Sequence, residues 1–287
     1  MKRHILLALV ALTGILLAEI KIKPDENTLW LEDGKNIVTS EKVGKGWLGN
    51  ADGSGEKKLK ITPRAEKGFD FCATDGSGKK THRYVPRNPE YKYLVIDIED
   101  LEMYPGIYHN WTLQMDNAGI VWGQAGALNP GIYIFDLFAG RQKEKANQKQ
   151  DNLFIYVYGS TLHFNEIKMV KKPDVMIEVK EKNGKNSFTI GDTLVFTVTL
   201  KEEAEDVSLR LFNSGLPSPL TINDLQKIQL KPTDDTQLVW TTELEVKEFG
   251  ISEKQYNKHD RIMIKATLLG GATDRPVWTT IPMSFSK

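Results

Sequence analysis

The chain has 287 residues, 40% of them hydrophobic, and its 38 Lys and Arg balance 38 Asp and Glu. A formally neutral chain without basic clustering lacks the electrostatic footprint of a DNA- or RNA-binding protein. The single cysteine, Cys72, excludes an intrachain disulfide, so stability has to come from apolar cores, which a chain of this length supplies in one or two domains.

Lys2, Arg3 and His4 precede an apolar run over residues 5–17, which ends on Ala18 before the polar Glu19. A charged start, an apolar stretch too short to span a bilayer comfortably and a small final residue predict a leader over residues 1–18. Leu16 departs from the small residue usual three positions before cleavage, which leaves an uncleaved anchor as the alternative. No later apolar stretch is long enough for a membrane segment. The expected location is therefore secreted, or periplasmic or cell envelope, with no membrane contact after cleavage.

From Glu19 onward helical periodicity is almost absent. Short alternating or continuous apolar runs recur between Gly, Asn, Asp and Pro, which predicts an all-β chain. An Asp-Gly-Ser-Gly block occurs at Asp52 and again at Asp75, each followed by lysines. Neither copy has the alternating acids and distal Glu of a calcium loop, whereas closely spaced glycines fit tight turns with positive φ. Cys72, within Phe69-Asp70-Phe71-Cys72, reads as a small strand residue rather than a nucleophile.

The clearest strands of this first part are residues 93–101, 110–115, 131–139, 153–159 and 162–170. In the third, Ile132, Ile134, Asp136 and Phe138 alternate with Tyr133, Phe135 and Leu137; in the fourth, Leu153, Ile155 and Val157 alternate with Phe154, Tyr156 and Tyr158. With the aliphatic faces packed inward, Tyr133, Phe154, Tyr156 and Tyr158 need either cover from other elements or a ligand. Sugars suit such a face, because pyranose C–H faces stack on aromatic rings and Tyr hydroxyls add polar contacts. Trp47, in a Gly-rich loop, and Tyr104 and Tyr108, flanking the turn Pro105-Gly106, extend the candidate set. The polar stretch over residues 141–151 reads as a solvated hairpin extension.

Asp97 and Glu99 fall on one face of their strand, with Glu102 beyond. The pattern Asp-x-Glu-x-x-Glu resembles the Glu-x-Asp-x-x-Glu strand of family-sixteen-type glycoside hydrolases, with the first two acids exchanged in type. A solvated acidic strand face is the other reading. Other catalytic templates are missing: the histidines of this part and the next, His82, His109, His163 and His259, are scattered, and there is no nucleophile elbow or phosphate loop.

Lys171-Lys172-Pro173-Asp174 punctuates the chain, and the domain boundary is expected there. Beyond it, Val175, Ile177 and Val179 alternate, as do Leu194, Phe196, Val198 and Leu200, and the same pattern repeats to Phe285 in about seven strands. One turn of helix is expected over residues 252–258. The pattern resembles an immunoglobulin-like or fibronectin-III-like β-sandwich, without the Cys…Trp…Cys pins of antibody domains.

Residues 153–173, LFIYVYGSTLHFNEIKMVKKP, resemble the closing strands of the galactose-binding-like jelly rolls of secreted carbohydrate-binding proteins. The resemblance implies a leader over 1–18, a jelly-roll-like carbohydrate-binding sandwich over 19–172 and an immunoglobulin-like domain over 173–287. It implies a non-catalytic protein that binds a polysaccharide or glycan. No cofactor is required for that role, although a structural calcium is implied between the first loop and last strand, at Glu32 or Asp33 and Asn165 or Glu166. The alternative is a structural or assembly protein that uses the same surface against another envelope or extracellular protein; a small glycoside hydrolase is the third.

Overall fold

The computed structural model describes residues 26–33, 50–52, 59–62, 69–70, 72–74, 80–86, 88–103, 110–115, 119–125, 130–139, 150–158, 160–213, 219–250, 262–271, 273–281 and 284–285. Among these the chain is all-β, and its one helical element is a 3-10 turn at Pro89–Tyr91. The leader residues, Trp47, Tyr104, Tyr108, the glycines of both Asp-Gly-Ser-Gly blocks, residues 141–149 and the helical turn expected over 252–258 lie outside the described residues.

The first half contributes β1 (Thr28–Asp33), β2 (Asn50–Asp52), β3 (Leu59–Thr62), β4 (Phe69–Asp70), β5 (Cys72–Thr74) and β6 (Lys80–Pro86). It continues with β7 (Tyr93–Met103), β8 (Asn110–Met115), β9 (Gly119–Ala125), β10 (Gly131–Asp136), β11 (Gln150–Tyr158) and β12 (Ser160–Val170). After the connector Lys171-Lys172-Pro173-Asp174 come β13 (Val175–Glu181), β14 (Ser187–Phe188), β15 (Thr193–Leu200), β16 (Asp206–Asn213), β17 (Pro219–Leu220) and β18 (Ile228–Gln229). The chain ends with β19 (Lys231–Pro232), β20 (Val239–Glu245), β21 (Ile262–Leu269), β22 (Val277–Ile281) and β23 (Ser284–Phe285).

Strict alternation shows in the burial of β15: Leu194, Phe196 and Val198 are fully buried, while Val195 and Thr197 between them are not. Such a strand has one face in a core and one toward solvent. The sheet β13-β15-β20-β19 supplies that face, and β16-β21-β22 closes it from the other side through Leu209, Leu211, Ile264 and Ala266. At one end the parallel pair β14–β23 adds Phe188 and Phe285, edge-on at 5.5 Å between ring centroids.

The connector does not separate the halves of the sheet system. β22 pairs on one side with β21 and on the other, in parallel, with β10: Ile132 faces Val277, Tyr133 faces Trp278 and Ile134 faces Thr279. One sheet therefore runs from β17 through β16, β21, β22, β10, β7 and β12 to β3 and β2, across both halves of the chain. Side-chain and backbone bonds lock the seam. Thr279 Oγ1 donates to the Ile134 carbonyl at 2.7 Å, and Ile132 N donates to the Pro276 carbonyl at 3.0 Å.

Register assigns the two faces of this sheet. Leu94, Ile96 and Ile98 on β7, Tyr133 and Phe135 on β10, and Ile167 and Met169 on β12 are mutual neighbours on one face, each at most 1% exposed. Val95, Ile134 and Val170 point the other way and join the core of the C-terminal half. β10 is thus apolar and buried on both sides, as a continuous apolar run such as Ile132-Tyr133-Ile134-Phe135 signals for a central strand.

Candidate functional site

The expectation that Tyr133 offers an open aromatic face is corrected by the fold. Tyr133 is 0% exposed and stacks on Trp278, with ring centroids 5.9 Å apart and planes 6° from parallel. The pairing of β10 with β22 brings an indole to that position, and the aromatic side of β10 becomes its deepest side. A sugar ring has no access there.

Phe154, Tyr156 and Tyr158 belong to a different sheet, β5-β6-β11-β8-β9 with β4 beside β11. β11 is its central strand, and the register sorts its two faces. Phe154 is opposite Gln114, Tyr156 opposite Thr112 and Asp70, and Tyr158 opposite Asn110. Residues directly opposite share a face. One face of this sheet therefore carries alternating aromatic positions next to amide, hydroxyl and carboxylate positions. On the other face Ile155 is opposite Leu113 and Val157 opposite Trp111 and Phe69.

The acidic strand is organised differently. β7 and β12 pair with two register shifts, at which the residue-by-residue register passes over Glu99 on β7 and Asn165 on β12. Bulges re-aim side chains, and here Asn165 Nδ2 donates to Asp97 Oδ2 at 3.2 Å. The other Asp97 oxygen is ion-paired with the Arg275 guanidinium, whose Nη1 also reaches the Ile98 carbonyl at 3.4 Å. Asp97 thereby ties the N-terminal half to the loop before β22. Arg275 carries no sequence signal for this, because its partner lies 178 residues away. The strand of Glu102 is described, its side chain is not.

Of the four residues implied for calcium, the register places Asp33 opposite Glu166 and Glu32 opposite Ile167. Glu166 is ion-paired with Lys168 at 2.5 Å, and Asn165 is engaged by Asp97. Among the described residues no group of three or more His, Cys, Asp or Glu is arranged to hold a metal.

Two clefts open where the connector and β13 pass over the large sheet. The smaller, about 80 Å³, is flanked by Asp97, Glu166, Lys168, Asp174 and Asn27. Its carboxylates are already matched, Asp97 to Arg275, Glu166 to Lys168 and Asp174 to Lys201 at 3.2 Å. The larger, about 250 Å³, runs along β13 from Val175 to Lys180, with Tyr93, Ile134 and Ile281 across from it. Lys92 and Asp136 form a 2.9 Å ion pair there, which raises the Lys92 pKa above its ordinary value. Among the described residues no helix is long and apolar enough to cross a membrane.

No protein-family model matches the chain, and no curated protein matches it. Among solved structures, the N-terminal domain of the Streptococcus gordonii adhesin Sgo0707 aligns over 78% of this chain and 66% of that one, at 11% identity and a TM-score of 0.18. At that score the likeness carries no argument about fold or function.

Proposed function

We propose that the protein is a non-catalytic carbohydrate-binding protein of the cell exterior. The glycan lies on the face of the six-stranded sheet that carries Phe154, Tyr156 and Tyr158. The observation that carries this reading is the register of β11, which gathers those positions with Asn110, Thr112, Gln114 and Asp70 on one face. Rings for stacking and amide or carboxylate groups for hydroxyls are the two components of a sugar site. We read the C-terminal half, with β13-β15-β20-β19 packed against β16-β21-β22, as an immunoglobulin-like sandwich, a reading supported by the two facing layers. The first half is read as the jelly-roll-like partner.

The matched state of Asp97 supports the absence of catalysis at the acidic strand. A carboxylate held by Arg275 and Asn165 is committed to structure, and a glycosidase needs two available carboxyl groups.

A polysaccharide pull-down and glycan array test the reading. The wild type is expected to retain at least one glycan, and Tyr156→Ala and Tyr158→Ala each to weaken it by about tenfold, as the loss of about 1.4 kcal/mol of stacking requires. Their melting temperatures are expected to stay near the wild type. The reading fails if no glycan binds or if both variants bind like wild type. Self-association of the wild type without glycan, abolished by the same substitutions, would instead assign the face to protein assembly.

A further inference from the structure

Four positions line up across one face of the large sheet. Tyr133 is opposite Trp278, Trp278 opposite Lys265, and Lys265 opposite Arg210. The row begins in the interior, where Tyr133 and Trp278 are at most 1% exposed, and ends at the exposed Arg210. On the outer side of β16, β18 pairs with Ser208 and Leu209 and β17 with Leu211 and Phe212, so the ladder there passes over Arg210.

The two cations that end this row face each other directly, an arrangement that costs stability. Among the described residues neither forms an ion pair. The acid on their face of β16 and β21 is Asp206, which lies beyond the Ser208–Thr267 pair and accepts from Gln229 Nε2. Lys265 is half-buried; burial pushes its pKa down, and the Arg210 charge pushes it further. Its ammonium sits 5.4 Å from the centroid of the Trp278 ring, which holds it in place on the sheet.

Two unbalanced cations held side by side on a sheet are the donor set of an oxyanion site: the guanidinium offers a planar fork, the ammonium a point charge. The next pair along the same face, about 7 Å away by strand geometry, is Ser208 with the exposed Thr267. On the other side lies the buried apolar pair Phe212–Met263. We propose that Arg210 and Lys265 bind the carboxylate or sulfate group of an acidic polysaccharide, with Thr267 at a neighbouring sugar hydroxyl. The inference goes beyond the β11 face and rests on the reading of the protein as one that meets glycans. A bound oxyanion removes the repulsion between the two cations, so the free fold already carries part of the driving force for binding.

Calorimetric titration of the full chain with polygalacturonate, dextran sulfate and uncharged dextran tests this. The wild type is expected to bind at least one acidic polymer and not dextran, and the polymer bound identifies the oxyanion. Arg210→Gln/Lys265→Met is expected to bind at least about tenfold more weakly. Arg210→Gln alone, at an exposed position, is expected to weaken binding at least about threefold with an unchanged melting temperature, so the test does not depend on how the double variant folds. Lys231→Gln/Lys247→Gln, which removes two exposed cations elsewhere, is expected to bind like wild type. Tyr156→Ala is expected to do the same, so this site and the β11 face fail separately. The proposal is overturned if neither acidic polymer binds, if dextran binds equally, or if the Arg210 variants bind like wild type. It is also overturned if the Lys231/Lys247 variant loses as much, which would mark general charge attraction. Binding to phosphatidylglycerol vesicles that needs Arg210, with neither acidic polymer retained, would assign the pair to a membrane surface and overturn it equally.

Discussion

Gly131→Ala attacks the seam between the two halves of the chain. Gly131 begins β10 at φ +153°, and a Cβ built there meets the Pro276 carbonyl oxygen at 2.5 Å and Trp278 Cδ1 at 3.2 Å. The first contact is with backbone, so a side-chain rotation cannot relieve it. The Pro276 carbonyl also accepts from Ile132 N, so relief has to come from moving β10 away from β22. Backbone strain of about 1 kcal/mol and an overpacking cost of about 1–3 kcal/mol add to roughly 3 kcal/mol. For a folding unit of this size that lowers Tm by about 6–12 °C. Urea unfolding followed by Trp fluorescence and by far-UV circular dichroism gives the assay. In the wild type the continuous sheet makes the halves unfold together, with coincident curves; in the variant the two curves separate. A variant with wild-type Tm, or a wild type whose halves already unfold separately, would refute the reasoning that the parallel β10–β22 pair couples them.

Asp97→Asn leaves the half-buried Arg275 guanidinium without its charge partner, and a loss of about 1–3 kcal/mol is expected. A double-mutant cycle with Arg275→Met should return a coupling of at least about 1 kcal/mol that persists in high salt, since the pair is partly shielded from solvent. Asp192 is 6% exposed and accepts from Thr189 N at 2.8 Å, Thr189 Oγ1 at 2.7 Å and Lys185 Nζ at 2.5 Å. The Lys185 hydrogen bond, followed by those from Thr189, holds its pKa below the ordinary carboxylate value. Between the lowered folded value and the ordinary one the unfolded chain binds more protons, so stability rises with pH in that window. The Asp192 contribution is complete above the ordinary carboxylate range and disappears as the pH falls through the lowered value. Asp192→Asn should cost about 2 kcal/mol at pH 7 by urea denaturation, with a deficit that shrinks toward pH 2.

Sequence periodicity by itself determined the all-β class and the strands. Alternating Leu194, Phe196, Val198 and Leu200 are the buried face of β15 as the period-two rule requires, because each side chain's direction follows from its own backbone position. The continuous run Ile132-Tyr133-Ile134-Phe135 held a signal for burial on both faces, yet alternation into aliphatic and aromatic sides pointed to Tyr133 as an outward ring. The tertiary structure decided otherwise, through a parallel partner about 145 residues away that brings Trp278 beside Tyr133. The Asp97–Arg275 pair and the Glu99 and Asn165 bulges have the same origin. Local sequence fixes which way a side chain points along its strand, but which strand lies next to it is set by long-range register, and no residue near Tyr133 or Asp97 encodes that neighbour.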